Sequence, residues 1–100
     1  MTVRITFAQQ DLTALCRKWR VRELALFGSV LRDDFNPESD VDVLVSFDPD
    51  APWDLWDLID MREELERFFA RPVDLVEQEG LRNPYRRREI LRTCEVVYAA

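Results

Sequence analysis

Residues 28–42 read GSVLRDDFNPESDVD, and this stretch decides how the rest of the chain is interpreted. It begins with a Gly-Ser pair directly after the apolar run at 24–27, and it ends with Asp40 and Asp42 ahead of a second apolar run. On a β-strand, side chains two residues apart share a face and lie about 6.5 Å apart. Two carboxylates placed in this way repel each other, and a cation such as Mg²⁺, which prefers oxygen ligands, relieves the repulsion.

Gly28 and Ser29 lie where a strand is expected to turn into a short helix at 29–33. Backbone N–H groups at such a turn, together with a serine hydroxyl, offer a place for a phosphate to bind. Arg32, one turn further on, is placed to neutralise phosphate charge. With the two aspartates, this turn predicts a site for a metal-bound nucleoside triphosphate.

The composition indicates a single folded domain over residues 1–100. A hydrophobic fraction of 47% is ample for a core, and a net charge of −6 argues against binding the backbone of a nucleic acid. The sequence contains no histidine, which excludes catalytic triads and zinc sites built on that residue. Cys16 and Cys94 lack the spacing of a metal site and are interpreted as free thiols. No apolar run reaches the ~20 residues of a membrane span and the first residues do not resemble a signal peptide, so we expect a cytoplasmic protein.

The hydrophobic pattern predicts an α/β (α+β) fold, a small mixed β-sheet with flanking helices. The predicted strands lie at 23–27, 41–47, 73–76 and 96–98, and the predicted helices at 7–20, 52–69 and 84–93. Thr6 and Gln9 have the spacing of a capping box, Pro52 is expected at the first position of the long helix, and Asn83 is expected to cap the last helix. In the second strand the valines alternate with Asp42, so the carboxylate face is opposite the valine face.

Two features each have more than one interpretation. Trp53 and Trp56 fall off the apolar stripe of the long helix, so either both cover the core at an irregular helix end or one is exposed to a partner. The last helix is rich in arginine, and this basic surface is either solvated or used to bind a partner or to reach the triphosphate. Some of these arginines are also placed to pair with the acidic face of the long helix. The arginines concerned are Arg82, Arg86, Arg87, Arg88 and Arg92.

A third carboxylate completes the candidate site. Asp74 lies in the predicted third strand, which is expected next to the strand that carries Asp40 and Asp42. The three carboxylates form a set suited to two Mg²⁺ ions about 3.5–4 Å apart. One ion would hold the triphosphate and the other would lower the pKa of an attacking hydroxyl. Displacement at the α-phosphorus would then release pyrophosphate, with Asp74 as the base or metal ligand next to the incoming hydroxyl.

The order of these features resembles a known signature. A strand, Gly28-Ser29, ten residues and then Asp40-Val41-Asp42 leading into a strand resembles the DNA polymerase β-like nucleotidyltransferase superfamily. The short chain, Ser39 and the segments at 73–76 and 81–85 resemble the minimal nucleotidyltransferases (MNT), which are antitoxins partnered with HEPN-domain ribonuclease toxins. The resemblance extends over residues 12–98.

The resemblance implies a polymerase β-like core, Mg²⁺, and ATP as the substrate. It implies transfer of AMP onto a tyrosine of the cognate HEPN toxin, which would silence the ribonuclease. Matching the motif residue by residue implies that Gly28, Ser29 and Arg32 bind the nucleotide. It implies that Asp40, Asp42 and Asp74 are catalytic and bind the metal. Leu31 and Asp33 depart from the family pattern, in which a small residue and a glycine are usual, and this departure bears on turnover.

Three functions are carried forward. The first is an antitoxin that transfers AMP to its HEPN toxin, and the second is an antitoxin that neutralises the toxin by binding alone. The third is a nucleotidyltransferase acting on a small molecule or an RNA end. No acceptor-binding domain follows the core, so the acceptor is expected to be recognised through a hetero-oligomer with the toxin, without direct nucleic acid or membrane binding.

Overall fold

The computed structural model describes residues 5–32, 35–36 and 38–100, which form a four-stranded sheet flanked by three α-helices. The expected α/β fold is confirmed. In chain order the elements are α1 (Gln9–Lys18), β1 (Val21–Phe27), β2 (Val41–Phe47), α2 (Leu55–Phe69), β3 (Val73–Glu77), α3 (Pro84–Thr93) and β4 (Glu95–Ala99). Two 3₁₀ turns, Gly28–Leu31 and Gln78–Gly80, follow β1 and β3.

The sheet is mixed, with strand order β3-β2-β1-β4. β1 pairs antiparallel with β2 and with β4, whereas β2 pairs parallel with β3. Parallel neighbours need a crossover connection, and α2 supplies it between β2 and β3. Because β2 and β3 run in the same direction, both begin at the same end of the sheet.

The two faces of the sheet are covered differently. One face packs under α1 and α2 and forms the larger apolar core, in which three alternate residues of β2, Val41, Val43 and Val45, are fully buried. The opposite face lies under α3, where Ile90 packs against Ala25, Phe27 and Leu44. Asp42 shares this second face with Leu44, so the predicted separation of the valine and carboxylate faces is confirmed. The residues of the larger core that come from β2, α1 and α2 are Val41, Val43, Val45, Leu12, Leu15, Cys16, Met61, Leu65 and Phe69.

Two predicted helix starts are wrong. The residue before α1 is Ala8, which makes no side-chain cap, and Gln9 instead donates from Nε2 to the carbonyl of Val97 at 2.9 Å. α2 begins three residues after Pro52, because Asp54 forms a capping box with Asp57. Satisfying two N–H groups at once outweighs the preference of proline for a first helical position.

α3 begins as predicted, with the Asn83 side chain accepting hydrogen bonds from the next turn. The predicted pairing of its arginines with α2 is wrong, because the two helices lie on opposite faces of the sheet. Within the described residues, the ion pair on α3 is internal, between Arg92 and Glu89 at 2.7 Å. Arg87 donates to the carbonyl of Gln78 at 3.4 Å.

The two tryptophans before and within α2 differ. Trp53 is half-buried, lies 5.1 Å from the Trp19 ring centroid, and donates from Nε1 to the Trp19 carbonyl at 2.7 Å. Trp56 is 73% exposed. The interpretation in which both tryptophans cover the core is therefore wrong. The alternative, in which one tryptophan is exposed, is confirmed, and its contact with a partner stays a prediction.

Both cysteines are free, as predicted. Burial raises the pKa of the Cys16 thiol to about 12, so this side chain behaves as a small apolar group of the core. The helices of the described part are all too short or too polar to cross a membrane.

Candidate active site

The parallel pairing of β2 and β3 brings two of the predicted carboxylates side by side. Asp42 is in register with Asp74, just as Val41 is with Val73. Residues paired across neighbouring strands point to the same face, and their strands lie about 4.8 Å apart. Asp42 is half-buried and Asp74 is exposed. The sheet therefore brings together two aspartates that lie thirty-two positions apart in the sequence.

The third carboxylate enters from the residue before β2. Asp40 is exposed, and its backbone carbonyl accepts a hydrogen bond from Ser29 Oγ at 3.2 Å. This contact joins the turn after β1 to the first residue of the acidic motif. The serine predicted to bind nucleotide and the aspartate predicted to bind metal therefore lie at the same end of the sheet.

Gly28 allows this close approach. The residue before Gly28, Phe27, is in register with Asp42 across the antiparallel pair of β1 and β2. The turn therefore begins directly beside the Asp42 carboxylate. Gly28 has φ of +73°, and a Cβ at this position would stand 3.2 Å from Asp42 Cγ and closer still to Oδ2. Only glycine meets both requirements without strain. The backbone N–H of the next residue, Ser29, lowers the pKa of the Asp42 carboxyl.

The environment of Asp42 disfavours its negative charge. Burial raises the pKa of this carboxyl above its usual value, and the charges of Asp74 and Asp40 raise it further. The Ser29 N–H and the charge of Arg32 act in the opposite direction without cancelling the effect. Like charges gathered in a partly desolvated place are stabilised by a bound cation, so the direction of this pKa shift agrees with a metal site.

The donor set suits Mg²⁺ bound together with a nucleotide. Among the side chains of residues 5–32, 35–36 and 38–100, no group of three His, Cys, Asp or Glu forms a set that could hold a metal ion by itself. Mg²⁺ is usually held by one or two carboxylates together with water and substrate phosphates. Asp42 and Asp74 provide these two carboxylates, with Asp40 beside them. The predicted pair of ions stays a prediction.

The remaining predicted positions are partly accounted for. Leu31, one of the two departures from the family pattern, is half-buried and packs against the larger core, so its side chain points away from solvent. Asp33, the other departure, lies outside the described residues. Arg32 is exposed, and its charge acts on Asp42.

Sequence reasoning missed one contributor near the site. The side chain of Arg71, directly after the C-cap of α2, contacts the backbone that precedes Asp40. No local signal predicts this contact, because Arg71 and the carbonyls that it reaches are more than thirty positions apart.

A cavity near the other end of β2 does not compete for this role. A cavity of about 360 Å³ lies between β1, β2 and the segment before α2, and its walls include Phe47, Trp53 and Glu79. Phe47 is the last residue of β2, whereas Asp42 is near its beginning. The cavity therefore lies at the other end of the strand and contains none of the three aspartates.

Comparison with known proteins agrees with this geometry. Residues 10–97 match the nucleotidyltransferase domain family. The chain belongs to this family. The nucleotidyltransferase is 38% identical over 84 residues to protein adenylyltransferase MntA of Thermococcus cleftensis, covering 84% of this chain and 80% of the relative. It is 34% identical over 73 residues to a Methanocaldococcus jannaschii protein provisionally assigned as protein adenylyltransferase MJ1379, covering 73% of each chain.

Solved structures show the same fold. A protein provisionally described as a minimal nucleotidyltransferase superposes on this nucleotidyltransferase with a TM-score of 0.71 at 30% identity, covering 87% of this chain and 86% of that chain. A toxin–antitoxin structure with AMP-PNP gives a TM-score of 0.74 at 17% identity, over 94% and 75%. A complex of tri-AMPylated Shewanella oneidensis HEPN toxin with MNT antitoxin gives 0.66 at 17% identity, over 92% and 70%. The resemblance to the minimal nucleotidyltransferases is confirmed.

Proposed function

We propose that this nucleotidyltransferase is an antitoxin that transfers AMP from Mg-ATP to a tyrosine of a HEPN-domain ribonuclease toxin. The observation that carries the proposal is the juxtaposition of Asp42 with Asp74 beside the Gly28-Ser29 turn. The comparisons support it, because relatives that are similar in sequence are named protein adenylyltransferases. A solved structure with a similar fold is a complex that contains an AMPylated HEPN toxin.

The side chains divide the work of such a transfer. Asp42 and Asp74, with Asp40, would hold Mg²⁺, which supplies charge stabilisation at the phosphates when bound. Gly28 and Ser29 would hold the β- and γ-phosphates. Arg32, which belongs to the same set predicted from the sequence, would offset the phosphate charge.

The reaction at the α-phosphorus balances as a single displacement. The tyrosine hydroxyl oxygen forms a bond to the α-phosphorus, the bond from that phosphorus to the bridging oxygen of the β-phosphate breaks, and pyrophosphate leaves. The phenolic proton passes to the carboxylate of Asp74, which is exposed on the last strand at this edge of the sheet. An acceptor side chain on another protein can approach a carboxylate placed there.

One observation favours the second candidate function, an antitoxin that acts by binding alone. The described residues contain no three-ligand metal set, so the site depends on the nucleotide to complete it. If ATP were not bound in the cell, the fold could still cover the toxin sterically. No observation of this kind favours a small molecule or an RNA end as the acceptor.

The test is the intact mass of a HEPN-domain protein of the same genome, coexpressed with this chain. Asp42→Asn removes a metal ligand while keeping the shape of the side chain, and Asp60→Asn on α2 is the matched control because that aspartate is exposed and remote from the motif. We expect the toxin to gain one or more AMP units with the wild-type chain and with Asp60→Asn, but not with Asp42→Asn.

The other outcomes separate the candidates. An unmodified toxin that still copurifies with the wild-type chain would contradict the transfer and favour neutralisation by binding. Undiminished modification by Asp42→Asn would contradict the role given to that carboxylate.

A further inference from the structure

Arg71 connects two segments that are distant in sequence. It lies between α2 and β3, directly after Ala70, the C-cap of α2, which has the left-handed conformation (φ 56°). Its Nη1 donates to the carbonyl of Asn36 at 2.6 Å and to the carbonyl of Ser39 at 3.3 Å. Its guanidinium carbon lies 4.3 Å from the centroid of the Phe35 ring, a cation–π contact.

The segment that Arg71 holds leads directly into the acidic motif. Residues 36 and 39 form a tight turn of their own, in which the Ser39 N–H donates to the Asn36 carbonyl at 3.0 Å. One residue further on, the Asp40 carbonyl is held by Ser29. The backbone on either side of the Ser39–Asp40 peptide is therefore fixed from two directions, by Arg71 on one side and by the Gly-Ser turn on the other.

The same segment is tied to the start of β3. The carbonyl of Pro72, next to Arg71, accepts a hydrogen bond from the N–H of Val41 at 2.9 Å. Val41 lies between the two aspartates of the motif, and Pro72 is two residues before Asp74. Residues 71 and 72 thus hold the backbone of all three carboxylate-bearing positions together.

We propose that Arg71 is a positioning residue, which sets the separation of Asp40, Asp42 and Asp74 by holding the backbone at 35–36 and 38–41. The inference rests on the proposed function, since it concerns the nucleotide-bound metal site of that reaction. Its role differs from that of Arg32, whose charge acts on Asp42. The guanidinium of Arg71 is already engaged by two carbonyls and a ring, so it acts through the backbone and not on the phosphates.

The contacts of Arg71 depend on the planar shape of its guanidinium group. A planar fork that also stacks on an aromatic ring can serve two carbonyls at once, whereas an ammonium group is a compact point charge without that shape. Arg71→Lys therefore keeps the charge and loses the geometry, and Arg71→Met loses both. Arg62→Met is the matched control, because Arg62 is an exposed arginine of α2 that makes no hydrogen bond or ion pair within the described residues.

Two measurements test the proposal on the full chain. Binding of Mn²⁺ in the presence of AMP-PNP is followed by the electron paramagnetic resonance signal of free Mn²⁺, and hydrogen exchange of peptides covering 35–41 is followed by mass spectrometry. We expect Arg71→Met to weaken Mn²⁺ binding about tenfold, which is about 1.4 kcal/mol, and to speed exchange in that segment more than elsewhere. We expect Arg71→Lys to be intermediate and Arg62→Met to match the wild type.

Several results would overturn the proposal. Mn²⁺ binding by Arg71→Met within twofold of the wild type, or unchanged exchange at 35–41, would remove Arg71 from the site. Full recovery in Arg71→Lys would show that charge matters and geometry does not, and this variant also decides the case if Arg71→Met does not fold. Absence of Mn²⁺ and AMP-PNP binding by the wild-type chain would instead refute the proposed function, and with it any role of Arg71 at a nucleotide site.

Discussion

Replacing Gly28 by alanine perturbs the site at its tightest point. The new methyl group would stand 3.2 Å from Asp42 Cγ, and the backbone would have to keep a φ of +73°. The sequence has one other glycine, Gly80, where an added Cβ meets nothing within 4 Å and φ is not in the left-handed region. The chain therefore provides its own control.

The expected loss in the free energy of unfolding for Gly28→Ala has two parts. A residue with a side chain pays about 1–2 kcal/mol in the left-handed region. Moving the Asp42 carboxylate away from the added methyl group forces that side chain off its rotamer, which costs about 0.5–1.5 kcal/mol. The free energy of unfolding should fall by about 2–3 kcal/mol, which for a domain of this size lowers Tm by about 10–20 °C.

Urea unfolding without metal or nucleotide measures this cost. We expect Gly80→Ala to change the free energy of unfolding by less than about 1 kcal/mol, in the stabilising direction if at all. In an Asp42→Ala background, Gly28→Ala should cost only the backbone part, about 1–2 kcal/mol, because the carboxylate that it meets is gone. A loss equal to that of Gly80→Ala, or an undiminished loss in the Asp42→Ala background, would refute the reasoning.

Two other predictions concern charge and packing. The folded state raises the pKa of Asp42 above its usual value, so the native state binds more protons than the unfolded state between the usual and the raised pKa. Stability therefore falls as the pH rises through this range. Asp42→Asn should remove this decline from unfolding free energies measured between about pH 3 and about pH 7, and an identical slope in both proteins would contradict the shift. Trp53→Ala should lower the free energy of unfolding by about 2–3 kcal/mol, because it loses the Trp19 contacts, whereas Trp56→Ala should change it by less than about 0.5 kcal/mol. Equal losses in thermal denaturation of the two variants would count against the assigned exposures.

The parts of the fold that depend on local pattern were predictable. β2 begins and ends where the alternation of valine and polar residues does, and the Asn83 cap of α3 is a local preference. Asp42 and Asp74 were expected on neighbouring strands, and their register confirms it.

What could not be predicted depends on contacts between distant residues. Gln9 was expected to cap its own helix, but the carbonyl of Val97 on β4 competes for its side chain. Arg71 reaches carbonyls that only the finished sheet brings within range. The arginines of α3 could be recognised as a basic surface. Their spacing does not predict on which face of the sheet α3 packs, because that depends on how the strands are connected.

The position of Asp74 has a consequence for solubility. β3 is an edge strand of five residues, so it presents unpaired backbone groups to any other chain with an exposed strand. Edge strands are protected from such pairing when they are short and carry charge, and β3 has an exposed carboxylate near each end, Asp74 and Glu77. The aspartate proposed to receive the phenolic proton therefore also discourages the sheet from extending into aggregates, and an apolar replacement there would remove both properties at once.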